Sequence, residues 1–292
     1  MMVQCGGLGL YTIFSVLAGL QIGRLISTIT GTPPAYRNLV QCTIALANVG
    51  NLPLILMSSL SSLSGPSLSG SDRSILYVAV CMAAHSILNF CIGNHLMKPI
   101  SNEDLSRSKT SLIDSLKAIR FGDFFSPPNR AVFLAVVVAL FPGLQGLFFS
   151  TGSSLPALGL ITAVLVTLGD GLIPCIMICL GAQLKNGPPP SSRLPLTSLL
   201  GAVVGRLLVV PLLGIPFTLL MRHLKVLAFH DQTMGLLLLL NLGMPSAISL
   251  SQLATLNSYN EAECSSILFW SYLLSLFTMP LLIGTCITIV IS

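Results

Sequence analysis

Eight runs of mostly apolar residues dominate this sequence: 8–29, 39–60, 74–97, 131–149, 155–184, 196–221, 233–256 and 265–291. A helix needs about 20 such residues to cross a bilayer core of roughly 30 Å. Lipid cannot hydrogen-bond a bare backbone, so each run must be helical, or broken only where protein covers the break. Composition agrees. Of 292 residues 53% are hydrophobic and 8% charged, with a mean hydropathy of +0.88, against about 25% charged in soluble domains. Soluble, fibrous, disordered and nucleic-acid-binding classes are excluded, and no alternating barrel strands are present. The expected fold class is all-α membrane, a polytopic helical bundle whose first partner is the lipid bilayer.

Basic residues set the orientation. Arg24, Arg37, Lys98, Arg107, Lys109, Lys117, Arg120, Arg130, Lys185 and Arg193 fall on one side, against Arg73, Arg222 and Lys225 on the other. The richer side is expected to be cytoplasmic, leaving both termini in the lumen or outside. The first run lacks a small-residue cleavage site, so it is read as an anchor. Residues 1–97 form a first unit of three spans, 98–130 a cytoplasmic linker, and 131–292 a second unit of five. Within the linker, Leu112, Ile113, Leu116 and Ile119 recur at helical spacing, which predicts a short surface helix.

Two runs carry matching helix breakers, Asn48-Val49-Gly50-Asn51-Leu52-Pro53 in the second and Asn241-Leu242-Gly243-Met244-Pro245-Ser246 in the seventh. Proline removes a helical hydrogen bond and clashes with the preceding turn, and asparagine offers a donor and an acceptor to the freed backbone. The two runs enter from opposite sides, so they are antiparallel. Paired interruptions of this kind point to an inverted-repeat transporter with two crossed broken helices, each aiming the positive end of a half-helix at an anion. Asn48, Asn51, Pro53, Asn241, Pro245 and Ser246 are the candidate substrate-binding residues. Gln252, Ser249 and Ser251 follow the second break as further lining or as glue between helices.

Asp170 is the only acid deep in a run and Arg206 the only base. Ionisable groups at this depth are paired or functional. Two readings stand: a structural ion pair, or an Asp170 that couples transport to a proton or cation. The eight cysteines make no CxxC pair, and His85, His95, His223 and His230 have no partner at i+4. No metal site, cofactor or disulfide framework is read. Gly19-x-x-x-Gly23 and Gly201-x-x-x-Gly205 are read as close-packing contacts, Trp270 and Tyr272 as packing or ring-stacking groups. An intramembrane aspartyl protease would need a second deep carboxylate. None exists, nor does HExxH or GxSxG. No catalytic residue is assigned, and the chain is not read as an enzyme.

Five stretches resemble the auxin efflux carrier family, and its PIN-LIKES branch in particular: Thr32-Pro33-Pro34, Asn48-Val49-Gly50-Asn51-Leu52-Pro53-Leu54-Ile55, Pro127-Pro128-Asn129-Arg130-Ala131, Leu168-Gly169-Asp170-Gly171-Leu172-Ile173-Pro174 and Glu263 to Trp270. The short linker is similar to that branch too. The resemblance implies ten helices in two five-helix inverted repeats. It implies carriage of auxin (indole-3-acetic acid) or a similar small organic anion in the auxin signalling pathway. The endoplasmic reticulum membrane is the implied compartment, with the plasma membrane as the other. By the same resemblance the chain starts where the third helix starts, which an incomplete gene model, a shortened isoform or a real reduction would each explain. The alternative reading is a transport-inactive relative that binds or regulates a full-length carrier. A second copy of the chain is the other expected partner.

Overall fold

The computed structural model describes residues 2–63, 71–99, 125–149, 157–223 and 232–291, and these are helical with no strand. The surface helix expected at 111–119 lies outside the described residues. Helix α1 (Met2–Ile29) runs into a turn at Gly31, where a φ of 63° suits glycine alone. Then α2 (Pro34–Ala45) ends at Leu46 in extended backbone, and α3 (Asn51–Leu63) resumes after four more residues. The second expected span is therefore two half-helices. Proline falls at Pro34, the first residue of α2, and at Pro53, in the first turn of α3. The N–H groups there have no intrahelical partner to lose.

Helix α4 (Ser71–Leu88) continues through a π-turn at Asn89–Gly93 to Leu96. After the linker, α5 (Pro127–Leu140) and α6 (Pro142–Phe148) meet at 109°. The straight span expected over 131–149 is thus sharply bent. Pro142 pushes Phe141 out of the helical region, and Phe141 takes φ −107° and ψ 105°. Helix α7 (Gly159–Asn186) packs on α6 and on the last helix. Helix α8 (Leu196–Val204) passes through a second π-turn, Gly205–Val209, into α9 (Val210–His223). The seventh span is again split, into α10 (Gln232–Gly243) and α11 (Ser249–Leu256), before the long α12 (Glu261–Ile291). Among the described residues, four continuous helices are long and apolar enough to cross a membrane, or five with the bent pair. The two split spans are not among the four.

The core sits where the split helices meet. Leu39, Ile44 and Leu46 of the first and Leu236 to Leu240 and Met244 of the second are fully or almost fully buried. By contrast α5 and α7 present Leu134, Leu140, Leu160, Leu165 and Leu168 outward, at 58–80% exposure. Helix α1 can lie along α2 because Gly19 and Gly23 remove the side chains between them. A Cβ on Gly19 would stand 2.7 Å from Ala45 Cα, and one on Gly23 2.8 Å from Gln41 Cα. Backbone cannot yield as a side-chain tip can. Gly19→Val should therefore cost about 1–3 kcal/mol by overpacking. Gly9→Ala, where a Cβ meets nothing within 4 Å, should be neutral. The apparent melting temperature in detergent separates the two.

Candidate functional site

The two breaks are stitched together edge to edge. Asn48 N–H donates to Pro245 O and Ala247 N–H to Leu46 O, both at 2.9 Å, so Ala47 and Ser246 form an antiparallel bridge. The interruptions therefore cross in opposite directions. Ser246 Oγ, fully buried, donates to Thr43 O at 2.7 Å, and Ser271 Oγ lies 3.4 Å from Ser246 N. Pro245 and Ser246 thus build the crossing itself.

Two helix C-termini converge at this point, and their last carbonyls lack helical partners. The guanidinium of Arg206, 3% exposed, fills the role. Nε donates to Met244 O at 2.7 Å, Nη1 to Ile44 O at 2.9 Å, and Nη2 to Asn241 O at 3.0 Å and Leu242 O at 3.1 Å. Ile44 belongs to the end of α2, the other three to the end of α10 and the residue after it. Each helix end carries about half a negative charge, so the pair together roughly neutralises one guanidinium. No carboxylate among the described residues takes part. The ion pair with Asp170, one of the two readings of these charges, is not formed: Asp170 is exposed on α7, whereas Arg206 directs its donors to backbone carbonyls. Helix termini give the cation an alternative counter-charge that side-chain counting does not reveal.

On the opposite side of the crossing the half-helices α3 and α11 begin. Their first turns, with α4, enclose a cavity of ≈ 220 Å³ lined by Ala47 to Asn51, Met82, His85, Ser86, Asn89, Phe90, Ala247 to Ser249 and Gln252. Met82, His85, Ser86 and Asn89 share one face of α4 at helical spacing. Asn48 and Asn51 both open onto this cavity. Asn48 Nδ2 donates to Tyr272 Oη at 2.8 Å, which fixes its orientation and leaves a second amide hydrogen. Asn89, on the π-turn, donates to Ser249 Oγ at 2.8 Å. Gln252 and Ser249 line the cavity, one of the two roles the sequence offers them, and Ser249 also joins two helices through Asn89; Ser251 turns back to Ile248 O. Tyr272 serves the site through Asn48, and Trp270 packs edge-on against Phe269. Pro53 lies in the first turn of α3 without lining the cavity.

Asn241 does not join Asn48. It lines a second, inner pocket of ≈ 20 Å³ with Tyr11, Thr12, Ser15, His85, Arg206 and Leu242. Ala47, Val49 and His85 border both spaces. His85, Ser86 and Asn89 are not among the expected site residues. Their common helix face is readable in the sequence, but the cavity it faces is not.

Comparison with known proteins places the chain among membrane transporters. The model of the membrane transport protein family matches residues 1–283. An uncharacterised transporter of Schizosaccharomyces pombe is 36% identical over 166 residues, 54% of this chain and 36% of that one. PIN-LIKES 1 of Arabidopsis thaliana is 27% identical over 94% of this chain and 64% of its own length. For PIN-LIKES 2 the figures are 25%, 91% and 76%. The chain thus spans about a third of the yeast relative and less than two thirds of PIN-LIKES 1. No solved structure matches.

Losing the guanidinium should matter more than losing the acid. Arg206→Met strands four carbonyls, and Arg206→Lys cannot fork to both helix ends. Each should cost at least about 3 kcal/mol, a fall of about 5–10 °C in apparent melting temperature, whereas Asp170→Asn should leave it unchanged. The chain belongs to the membrane transport protein family, that of the auxin efflux carriers, and has PIN-LIKES proteins among its relatives.

Proposed function

We propose that the chain carries a small organic anion, of the class of auxin (indole-3-acetic acid), and that the anion binds in the cavity beside the crossing. One observation carries this reading: the polarity of the crossing is sorted. Carbonyl ends and their cation lie on the side of Arg206, and the N-terminal ends of α3 and α11 lie at the cavity. Helix N-termini present partial positive charge, the chemistry that holds carboxylates; in the first turn of α11 the N–H groups of Leu250 and Ser251 donate to Ala247 O and Ile248 O. The amides of Asn48, Asn51 and Gln252 add donors, and Met82, Phe90 and Ile248 give apolar wall for a ring. The cavity volume is a little below the usual range for ligand sites, about 300 Å³ and above, which favours a small cargo.

Alternating access then follows from two repeats of opposite topology, residues 1–97 and 131–292, rocking about the fixed crossing, with 98–130 as the linker. The resemblance to the PIN-LIKES branch supports the endoplasmic reticulum membrane as the compartment. Asp170 remains a candidate coupling residue only through a partner other than Arg206.

The test is uptake of labelled indole-3-acetate into proteoliposomes. Asn48→Ala/Asn51→Ala should lower it about tenfold or more, each lost hydrogen bond to a charged group being worth about 1.5–3 kcal/mol. Uptake equal to that of the unaltered protein would refute the assignment.

A further inference from the structure

We propose that His85 is a proton-binding contact for the carried anion: its imidazole takes up one proton as the anion enters the cavity and returns it as the anion leaves. The proposal rests on the anion reading above and adds the residue that makes binding depend on pH.

Three observations carry it. First, place: His85 is 6% exposed and lines both the anion cavity and the inner pocket beside Arg206. Among the described residues it is the one titratable side chain bordering the ≈ 220 Å³ space. Second, an open valence: His85 Nε2 is buried and has no hydrogen-bond partner among the described residues, and Asn241 Oδ1, on the same inner pocket, has none either. A buried polar group left unpaired costs about 1–3 kcal/mol, which a structural histidine would avoid by bonding to a carbonyl. The ≈ 20 Å³ pocket has room for about one water, which can join the two atoms and pass a proton.

Third, charge. The titratable groups that share the inner pocket with His85 are Arg206 and the Tyr11 phenol, which is hydrogen-bonded to Thr218 Oγ1 at 2.8 Å, and the buried thiol of Cys81 lies one turn earlier on α4. The elements packed against α4 bring no carboxylate: α1 has Arg24, α5 has Arg130, and α3 and α10 have no charged residue. On α4 itself Asp72 is thirteen residues from His85, about 20 Å along the helix. A proton on His85 therefore meets the cost of burial and the repulsion of Arg206 while the cavity lacks an anion. A carboxylate among the Asn48 and Asn51 amides supplies the missing counter-charge. Linkage makes the effect reciprocal: whatever the anion adds to proton affinity, the proton adds to anion affinity. One proton moves from bulk water to an imidazole lone pair and back, and no other bond changes.

The experiment is calorimetric titration of the purified, lipid-reconstituted chain with indole-3-acetate between about pH 6 and pH 8. That range spans neutral pH and keeps the ligand ionised. Each titration is run in two buffers of different ionisation enthalpy. The unaltered chain should take up close to one proton on binding near the acid end, and its affinity should rise as pH falls, by up to tenfold per unit. H85Q should bind with affinity independent of pH and with no proton uptake. Binding by the unaltered chain that ignores pH, or an H85Q profile equal to it, overturns the role of His85 and leaves the anion site standing. No binding at any pH overturns both. Where H85Q does not fold, H85N takes its place, and proton uptake by the unaltered chain in the two buffers still decides between the outcomes.

Discussion

A single guanidinium holding the ends of two broken helices is the constraint on which the rest of this structure depends. Splitting two helices in the middle of an apolar core leaves carbonyl groups that lipid cannot satisfy. Here the splits are placed so that the buried carbonyl ends of α2 and α10 lie within reach of one side chain, and Arg206 donates to both. A buried cation normally demands a carboxylate. Two helix C-termini provide the equivalent charge with no acid and in a fixed geometry. Ser246 Oγ satisfies one further carbonyl, that of Thr43.

That arrangement decides where the functional surface lies. With carbonyl ends collected around Arg206, the beginnings of α3 and α11 are left beside the cavity. Both flanking helices carry a π-turn at this level, Asn89–Gly93 after α4 and Gly205–Val209 between α8 and α9. Each wide turn presents a polar side chain to a broken helix: Asn89 to Ser249, and Arg206 to the two C-termini. Such turns are rare and concentrate at functional sites. Between the two polarities stands His85, which borders both spaces. The crossing is both a break in the helical scaffold and the place where its dipoles can act on a ligand.

Much of this is legible in the sequence. Asn48 to Pro53 and Asn241 to Pro245 mark both breaks, because proline and glycine act through local backbone geometry. Their opposite directions follow from the number of runs between them, and the bridge between Ala47 and Ser246 shows the crossing. Gly19 and Gly23 announce the close approach of α1 to α2 for the same local reason. What fails is pairing at a distance. Arg206 and Asp170 look complementary because each is the lone deep charge of its sign, but backbone carbonyls carry partial charge that no residue letter records. Asn48 and Asn241 look equivalent by symmetry of motif and fall on opposite sides of the crossing. The π-turns, which aim Asn89 and Arg206, have no sequence signature, so His85 and its neighbours on α4 read as ordinary helix. The bend at Phe141 does have one, in Pro142, but an apolar run on both sides of that proline masks it.

The most direct measurement is a crosslink across the crossing. Ala47 and Ser246 face each other in the bridge type that lacks hydrogen bonds between the two residues themselves, where Cα atoms stand about 4.5 Å apart, within disulfide reach. In a chain whose eight native cysteines are replaced, Ala47→Cys/Ser246→Cys should crosslink rapidly and nearly completely on mild oxidation in native membranes, read by peptide mapping after digestion. Adding Arg206→Met should slow or abolish the crosslink. Rapid crosslinking without Arg206, or none with it, would contradict the view that this one guanidinium holds the broken helices together.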